Sequence, residues 1–171
     1  MMLGLSLSAF TTLHVVISLI AIATGLIALK GMLSSSPPGT VTHVFLVTTV
    51  LTSVTGFMFP ITVFTPALAF GVLSIILLAL ALAGLYVFRL AGHWRWIYVA
   101  TAVTALYLNC FVLVVQMFQK LGPLNALAPT QSEPPFQIAQ GLLLVAFLVL
   151  GIRAGRRYHP PGVGGGAAPA V

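Results

Sequence analysis

Residues 7–30 read LSAFTTLHVVISLIAIATGLIALK, a continuous apolar run that ends on a lysine. An α-helix needs about 20 apolar residues to cross the roughly 30 Å hydrocarbon core of a bilayer, and this run supplies them. No basic segment precedes the run and no clear cleavage site follows it, so it indicates a retained membrane span rather than a signal peptide.

Further apolar runs of similar length follow along the chain. The stretch 34–39, rich in Ser and Pro, cannot continue a helix and separates the first span from the second. Pro66 suits the first turn of the third span, although a re-entrant kink there, leaving four spans, is an alternative. The sequence predicts an all-α fold, a polytopic bundle of five transmembrane helices at about 7–29, 43–63, 66–90, 96–118 and 135–153. Residues 1–158 form this one domain, and residues 159–171 are expected to be a flexible cytoplasmic tail.

The composition agrees with lipid as the solvent of this chain. Of its 171 residues, 60% are hydrophobic and only 5% are charged, against about 25% charged in a soluble domain. The net charge of +6 does not indicate nucleic-acid binding, because the basic residues lie at the ends of apolar runs and form no mixed aromatic and basic surface. The bilayer and its anionic headgroups are the expected partners.

The distribution of cations predicts the orientation of the bundle. With five spans, Lys120 lies on one side and every other Lys and Arg on the other. Cytoplasmic loops of membrane proteins carry the excess of Lys and Arg. The N-terminus is therefore expected outside and the C-terminus in the cytoplasm. The cytoplasmic cations would be Lys30, Arg89, Arg95, Arg153, Arg156 and Arg157.

Small residues at four-residue spacing allow helix backbones to approach closely in lipid. The pattern Ala21-xxx-Gly25 predicts such a contact on the first helix, and Ala79-xxx-Ala83 predicts one on the third. Gly151-xxx-Gly155 falls at the end of the fifth helix and is expected to contribute little.

Polar side chains inside the membrane are costly and often functional. His14 is expected about 10 Å below the outer surface. Several other polar residues fall in the same half of the membrane, and if they converge they form an outer-leaflet pocket for a small ligand, a quinone or a proton. The alternative is that they only join helices by hydrogen bonds. The candidate ligand-binding residues are His14, Thr52, Thr55, Asn109, Gln116 and Gln140.

Catalysis has little support in this sequence, and no catalytic or metal-binding residue is predicted. The chain contains a single carboxylate, Glu133, and a single cysteine, Cys110, so paired carboxylates, a Ser-His-Asp triad and a thiolate metal site are excluded. Haem b remains a possible cofactor, but His14 and His43 would lie roughly 20 Å apart along the membrane normal, too far to share one iron. His43 and His93 could meet only at the cytoplasmic surface.

Several stretches resemble those of small multi-pass proteins of the bacterial inner membrane, a group without a known activity. They are residues 48–57 (TTVLTSVTGF), 94–98 (WRWIY), 105–109 (ALYLN) and 127–136 (LAPTQSEPPF). The resemblance implies that membrane and supplies no function. His14, together with the stretch Gly39 to His43, is more loosely similar to haem-b membrane bundles of the DUF2306 type.

The sequence thus favours a non-enzymatic inner-membrane bundle that binds a small ligand near His14. One alternative is an accessory subunit that packs against a larger membrane complex or against another copy of itself. The other is an electron-transfer protein carrying haem b.

Overall fold

The computed structural model describes residues 6–59 and 66–161, and this part of the chain is helical without strands. Five of its helices are long and apolar enough to cross a membrane, which confirms the predicted five-span all-α fold. The helices are α1 (Leu7–Leu33), α2 (Thr40–Phe57), α3 (Pro66–Leu82), α4 (Trp94–Lys120), α5 (Gly122–Leu127) and α6 (Pro134–Arg157), with a π-helical turn (Ala83–Val87) continuing α3.

The observed helices differ from the predicted spans mainly at their ends. α1, α4 and α6 extend a few residues beyond the apolar runs, because backbone hydrogen bonding continues past the hydrocarbon into polar sequence. α2 ends at Phe57, and the predicted end at Val63 lies outside the described residues. The predicted outer loop contains the short helix α5. Of the predicted tail, only His159–Pro161 is described.

α4 is the central helix of the bundle. It contacts each of the other spanning helices, whereas α1, α2, α3 and α6 surround it. Half of its most apolar stretch is buried inside the protein, the largest share of any span. Its buried side chains include Tyr98, Val99, Ala102 and Leu106. The outer helices instead expose large aliphatic side chains to lipid, as expected where lipid and protein are equally apolar.

Gly25 marks the closest approach of three helices. A Cβ atom at this position would lie 2.5 Å from Leu106 Cδ1 of α4 and 2.8 Å from Phe45 Cδ2 of α2. Ala21, one turn away, is completely buried. The predicted contact through Ala21 and Gly25 is therefore present.

The small-residue predictions for the other two helices were wrong. Ala79 is exposed, and Gly84 of the π-helical turn makes the close contact with α4 instead. Its added Cβ would lie 3.2 Å from Trp94 O. On α6, Gly155 packs against the Trp96 ring, where a Cβ would lie 2.4 Å from Cζ3. The physical reason is that these helices are apolar on all sides. Their sequence therefore does not show which face packs against the rest of the bundle.

One end of the bundle collects most of the cations, and we call it the basic end. His159 N donates a hydrogen bond of 2.7 Å to Ser35 Oγ and so ties the end of α6 to the loop after α1. The rings of Tyr98 and Tyr158 lie 6.0 Å apart there. Burial raises the pKa of the Tyr158 phenol to about 12, so it stays neutral at physiological pH. The cations of the basic end are Lys30, Arg89, Arg95, Arg153, Arg156 and Arg157.

The end of the bundle that carries Lys120 and Glu133 is the opposite end. Glu133 precedes the two prolines that begin α6, and its carboxylate accepts hydrogen bonds from Thr130 N (3.1 Å), Thr130 Oγ1 (2.8 Å) and Ser132 N (3.1 Å). Slight desolvation raises the pKa of Glu133, but these hydrogen bonds outweigh it and the net shift is downward. The carboxylate thus organises the turn that leads into α6.

Tyr98 carries a buried polar atom that the fold does not satisfy. The side chain is 0% exposed, and its hydroxyl has no hydrogen-bond partner among the described residues. A buried unsatisfied group costs about 1–3 kcal/mol.

We expect Tyr98→Phe to raise the thermal midpoint of the purified protein, by roughly 2–4 °C for each kcal/mol recovered. Tyr158→Phe is the control, because that ring packs against Tyr98 but its hydroxyl is not among the enclosed, unsatisfied atoms. A lower midpoint for Tyr98→Phe would contradict the assignment.

Candidate functional site

His14 and Thr55 form a direct polar contact between α1 and α2 at the opposite end. His14 Nδ1 lies 2.7 Å from Thr55 Oγ1. His14 is half-buried. Two of the predicted ligand-binding residues therefore meet, at a depth where hydrogen-bond partners are scarce.

The surrounding hydrogen bonds assign the proton of the imidazole. Thr55 Oγ1 also lies 2.7 Å from the carbonyl oxygen of Leu51, one turn back on α2. A carbonyl can only accept and a hydroxyl has one proton, so the arrangement in which both contacts are hydrogen bonds has Thr55 donating to Leu51. Nδ1 of His14 must then donate to Thr55, and neutral His14 carries its free lone pair on Nε2. Nε2 has no partner among the described residues.

Aromatic rings enclose this imidazole on one side. The His14 and Phe59 ring centroids are 5.3 Å apart in an edge-to-face arrangement, and Phe10 packs on Phe59 at 5.1 Å. Gly56 leaves room beside the imidazole, since even an added Cβ would remain 3.7 Å from His14 Cε1. His14 thus combines one free hydrogen-bond acceptor with aromatic neighbours, and we call this group of residues the His14 niche (Phe10, His14, Thr55, Gly56 and Phe59).

Four further hydroxyl groups of α2 bond to their own helix. Thr52 Oγ1 donates to Thr48 O at 2.9 Å, and Thr48, Thr49 and Ser53 donate in the same way to carbonyls one turn back. Their protons are used locally, so these hydroxyls donate no hydrogen bond to another helix. Thr52 lies one turn from the niche without contributing a direct contact to His14.

The remaining predicted site residues lie elsewhere. Gln140 of α6 donates from Nε2 to Phe111 O of α4 at 3.2 Å, and its Oε1 is buried without a partner among the described residues. Asn109 is half-buried, and its Nδ2 is likewise unpartnered there. Gln116 is exposed. The structure therefore does not bring all six residues into one pocket.

Depth explains the separation of Asn109 from His14. Gly25 and Leu106 are in contact and share one level of the bundle. His14 lies about 16 Å from that level along α1, whereas Asn109 lies only about 4.5 Å from it along α4, at 1.5 Å per residue. The two side chains thus differ by more than 10 Å in depth.

The histidines occupy opposite ends of the bundle. His14 contacts Thr55 of α2 near that helix's end, whereas His43 lies at the start of α2, with its ring 5.6 Å from Tyr86. One haem cannot bridge the two. Among residues 6–59 and 66–161, no group of three or more His, Cys, Asp or Glu side chains comes together.

Phe10, Gly56 and Phe59 were not predicted as site residues, although the sequence holds a signal for one of them. Phe10 precedes His14 by one turn of α1, and Phe59 follows Thr55 by four residues, two residues beyond the end of α2 at Phe57. Residues four apart share a helix face, so the position of Phe10 beside His14 follows from the sequence, whereas that of Phe59 depends on how the chain leaves α2.

Comparison of the chain with protein-family models, with curated proteins and with solved structures finds no match.

Proposed function

We propose that this membrane protein binds a small hydrophobic molecule bearing a hydroxyl group, such as a quinol, in the His14 niche. The single observation that carries the proposal is the fixed imidazole. Its Nδ1 is held by Thr55 at 2.7 Å, which leaves Nε2 as a free acceptor beside aromatic rings.

The chemistry of the niche defines the ligand class. A free Nε2 lone pair accepts a hydrogen bond, so the ligand must donate one. Phe59 and Phe10 favour an aromatic or otherwise flat apolar body. Small-molecule sites commonly combine apolar walls with a few placed polar groups. A quinol satisfies both requirements, whereas a quinone, which only accepts, does not pair with this tautomer.

The proposal includes the membrane in which the protein lies and its orientation there. We infer a bacterial inner membrane with the basic end in the cytoplasm, supported by six of the seven Lys and Arg residues lying at that end. The His14 niche then opens in the outer leaflet, where a lipid-soluble ligand enters sideways from the bilayer.

Ligand-dependent stabilisation tests the proposal. We expect a short-chain benzoquinol at ten times its Kd to raise the thermal midpoint of the detergent-purified protein by roughly 3–6 °C. The His14→Phe variant keeps a ring against Phe59 but lacks Nε2, so its midpoint should not respond to the quinol.

Two controls make the result specific. His43→Phe removes a histidine at the basic end and should leave the quinol response intact. The dimethyl ether of the same quinol has no hydroxyl proton and should stabilise the wild-type protein less. Equal stabilisation by quinol and ether, or an undiminished response in His14→Phe, would refute the proposed function.

The alternative of an accessory subunit gains no separate support from exposed apolar surface. α6 exposes large side chains such as Ile138, Leu142 and Val145, but lipid tails cover such a face as well as a partner helix does.

A further inference from the structure

An apolar groove of about 270 Å³ lies between α4 and α6. It is independent of the His14 niche, because its walls belong to the half of each helix nearer the basic end. The walls are almost entirely carbon and include Val103 and Trp96 of α4 and Phe147 and Ile152 of α6. The groove therefore suits a hydrocarbon chain.

Two glycines of α6 line the groove and pack closely against α4. A Cβ at Gly151 would lie 3.4 Å from Val103 Cγ1, and one at Gly155 would lie 2.4 Å from Trp96 Cζ3. The Trp96 ring therefore rests directly on the backbone of α6 and bounds the groove at the basic end. From Gly155 to Phe147 the groove follows the helix for about 12 Å.

Positive charge lies where the groove reaches the basic end. The guanidinium carbon of Arg95 is 5.8 Å from the centroid of the Trp96 ring. Arg95 Nε is buried and has no hydrogen-bond partner among the described residues. On α6, Arg156 is exposed one turn beyond Ile152, on the same helix face. A buried N–H group without an acceptor is costly, so an acceptor beside Arg95 would stabilise the protein.

We propose that this groove binds one anionic phospholipid, with an acyl chain between α4 and α6 and the phosphate at Arg95 and Arg156. The charge pattern selects this occupant. Arginine pairs with phosphate oxygens through two parallel hydrogen bonds, and tryptophan marks the headgroup level. An anionic head at that level, joined to an apolar tail that runs inward, is the chemistry of a phospholipid.

A second copy of this chain fits the groove less well. An occupant helix would have to place an acid beside Arg95, and the single acid of the chain, Glu133, lies at the opposite end. A partner helix would also have to follow a groove that spans only about a third of α6.

Native mass spectrometry of the full-length protein tests the proposal. We expect the wild-type protein to bind phosphatidylglycerol at least about tenfold more tightly than phosphatidylcholine of the same acyl chains, the effect of one charge-assisted pair. Arg95→Gln and Arg156→Gln should each reduce this preference severalfold. Gly151→Leu should fill the groove and abolish the tight adduct.

Matched controls separate this site from general attraction to the basic end. Arg157→Gln removes a charge beside Arg156 but on another face of α6, and should leave the preference unchanged. Gly141→Leu adds the same side chain to α6 at a position with open space, and should leave the adduct intact.

Three results would overturn the proposal. The first is equal binding of the two lipids by the wild-type protein. The second is an Arg157→Gln loss as large as that of Arg95→Gln. The third is a lipid-free dimer that Gly151→Leu disrupts. Because Arg95→Gln, Arg156→Gln and Gly151→Leu act on separate groups, misfolding of one variant leaves the other two as tests.

Discussion

Gly25→Val is expected to lower the thermal midpoint of the purified protein by roughly 6–12 °C, which corresponds to about 3 kcal/mol. The physical reason is overpacking at the junction of three helices. The first added carbon would already lie within 2.8 Å of both Leu106 and Phe45, and valine adds two more carbons. Each neighbour is only 1% exposed, so neither side chain can swing out toward lipid.

Gly31→Val on the same helix is the matched control. No atom of the described residues lies within 4 Å of a Cβ at Gly31. Exchanging glycine for valine in a helix changes its propensity by only a few tenths of a kcal/mol. Its midpoint should stay close to that of the wild type. If both glycine variants lose stability equally, the loss comes from the effect of valine on helix α1 itself and not from overpacking at the junction of three helices.

A compensating substitution isolates the junction further. Gly25→Ala alone should destabilise the protein less than valine does, and Phe45→Leu should lose stability by leaving a cavity. The two combined should lose less than the sum of the single losses, because the smaller residue on α2 makes room for the methyl group on α1. Strict additivity would mean that the two positions do not touch.

The spans could be predicted from the sequence because lipid imposes their length and apolarity. Runs such as 7–30 must be helical to satisfy their backbone in hydrocarbon, and the residues around Pro37 and Pro134 cannot continue a helix. The helix ends were less predictable. The π-helical turn at Ala83–Val87 and the short helix α5 depend on contacts that hydropathy does not contain.

The candidate site was predictable only in part. The depth of a residue in the bundle follows from counting residues along its helix, but the rotation of the helix about its own axis does not. His14 and Thr55 were selected by depth and do face each other. Asn109 and Gln116 were selected in the same way, yet one is half-buried and the other exposed. In a helix that is apolar on most sides, only the packing of neighbours such as Leu106 against Gly25 sets the rotation.

The surroundings of Arg95 and Trp96 were also predictable only in part. The pattern Trp94-Arg95-Trp96 is typical of an interfacial anchor, and Trp96 is 44% exposed. The sequence could not show that Gly155 lies under the Trp96 ring or that Arg95 Nε is buried without a partner. The contact of Gly155 with Trp96 arises from the pairing of α4 with α6, helices that are far apart along the chain.

Cysteine labelling is expected to give an all-or-none answer on orientation. Cys110 is the single cysteine and is buried, so Cys110→Ala supplies an unreactive background. In that background, Ser132→Cys lies at the opposite end and Ser36→Cys at the basic end, both at exposed positions. In intact bacterial cells, a small charged maleimide that cannot cross the inner membrane should label the first almost completely and the second hardly at all.

The expectation follows from the placement of charge. Moving the basic end across the membrane would carry six cations through hydrocarbon, where each arginine or lysine at the centre costs about 2.5–3.5 kcal/mol. Permeabilised cells, in which both cysteines should react, show that Ser36→Cys is accessible when reagent reaches it. Labelling of Ser36→Cys in intact cells, with Ser132→Cys protected, would invert the bundle and place the His14 niche in the cytoplasmic leaflet. The contact between His14 and Thr55 would survive such an inversion, because it depends on packing within the bundle alone, so the quinol test and the orientation test can fail independently.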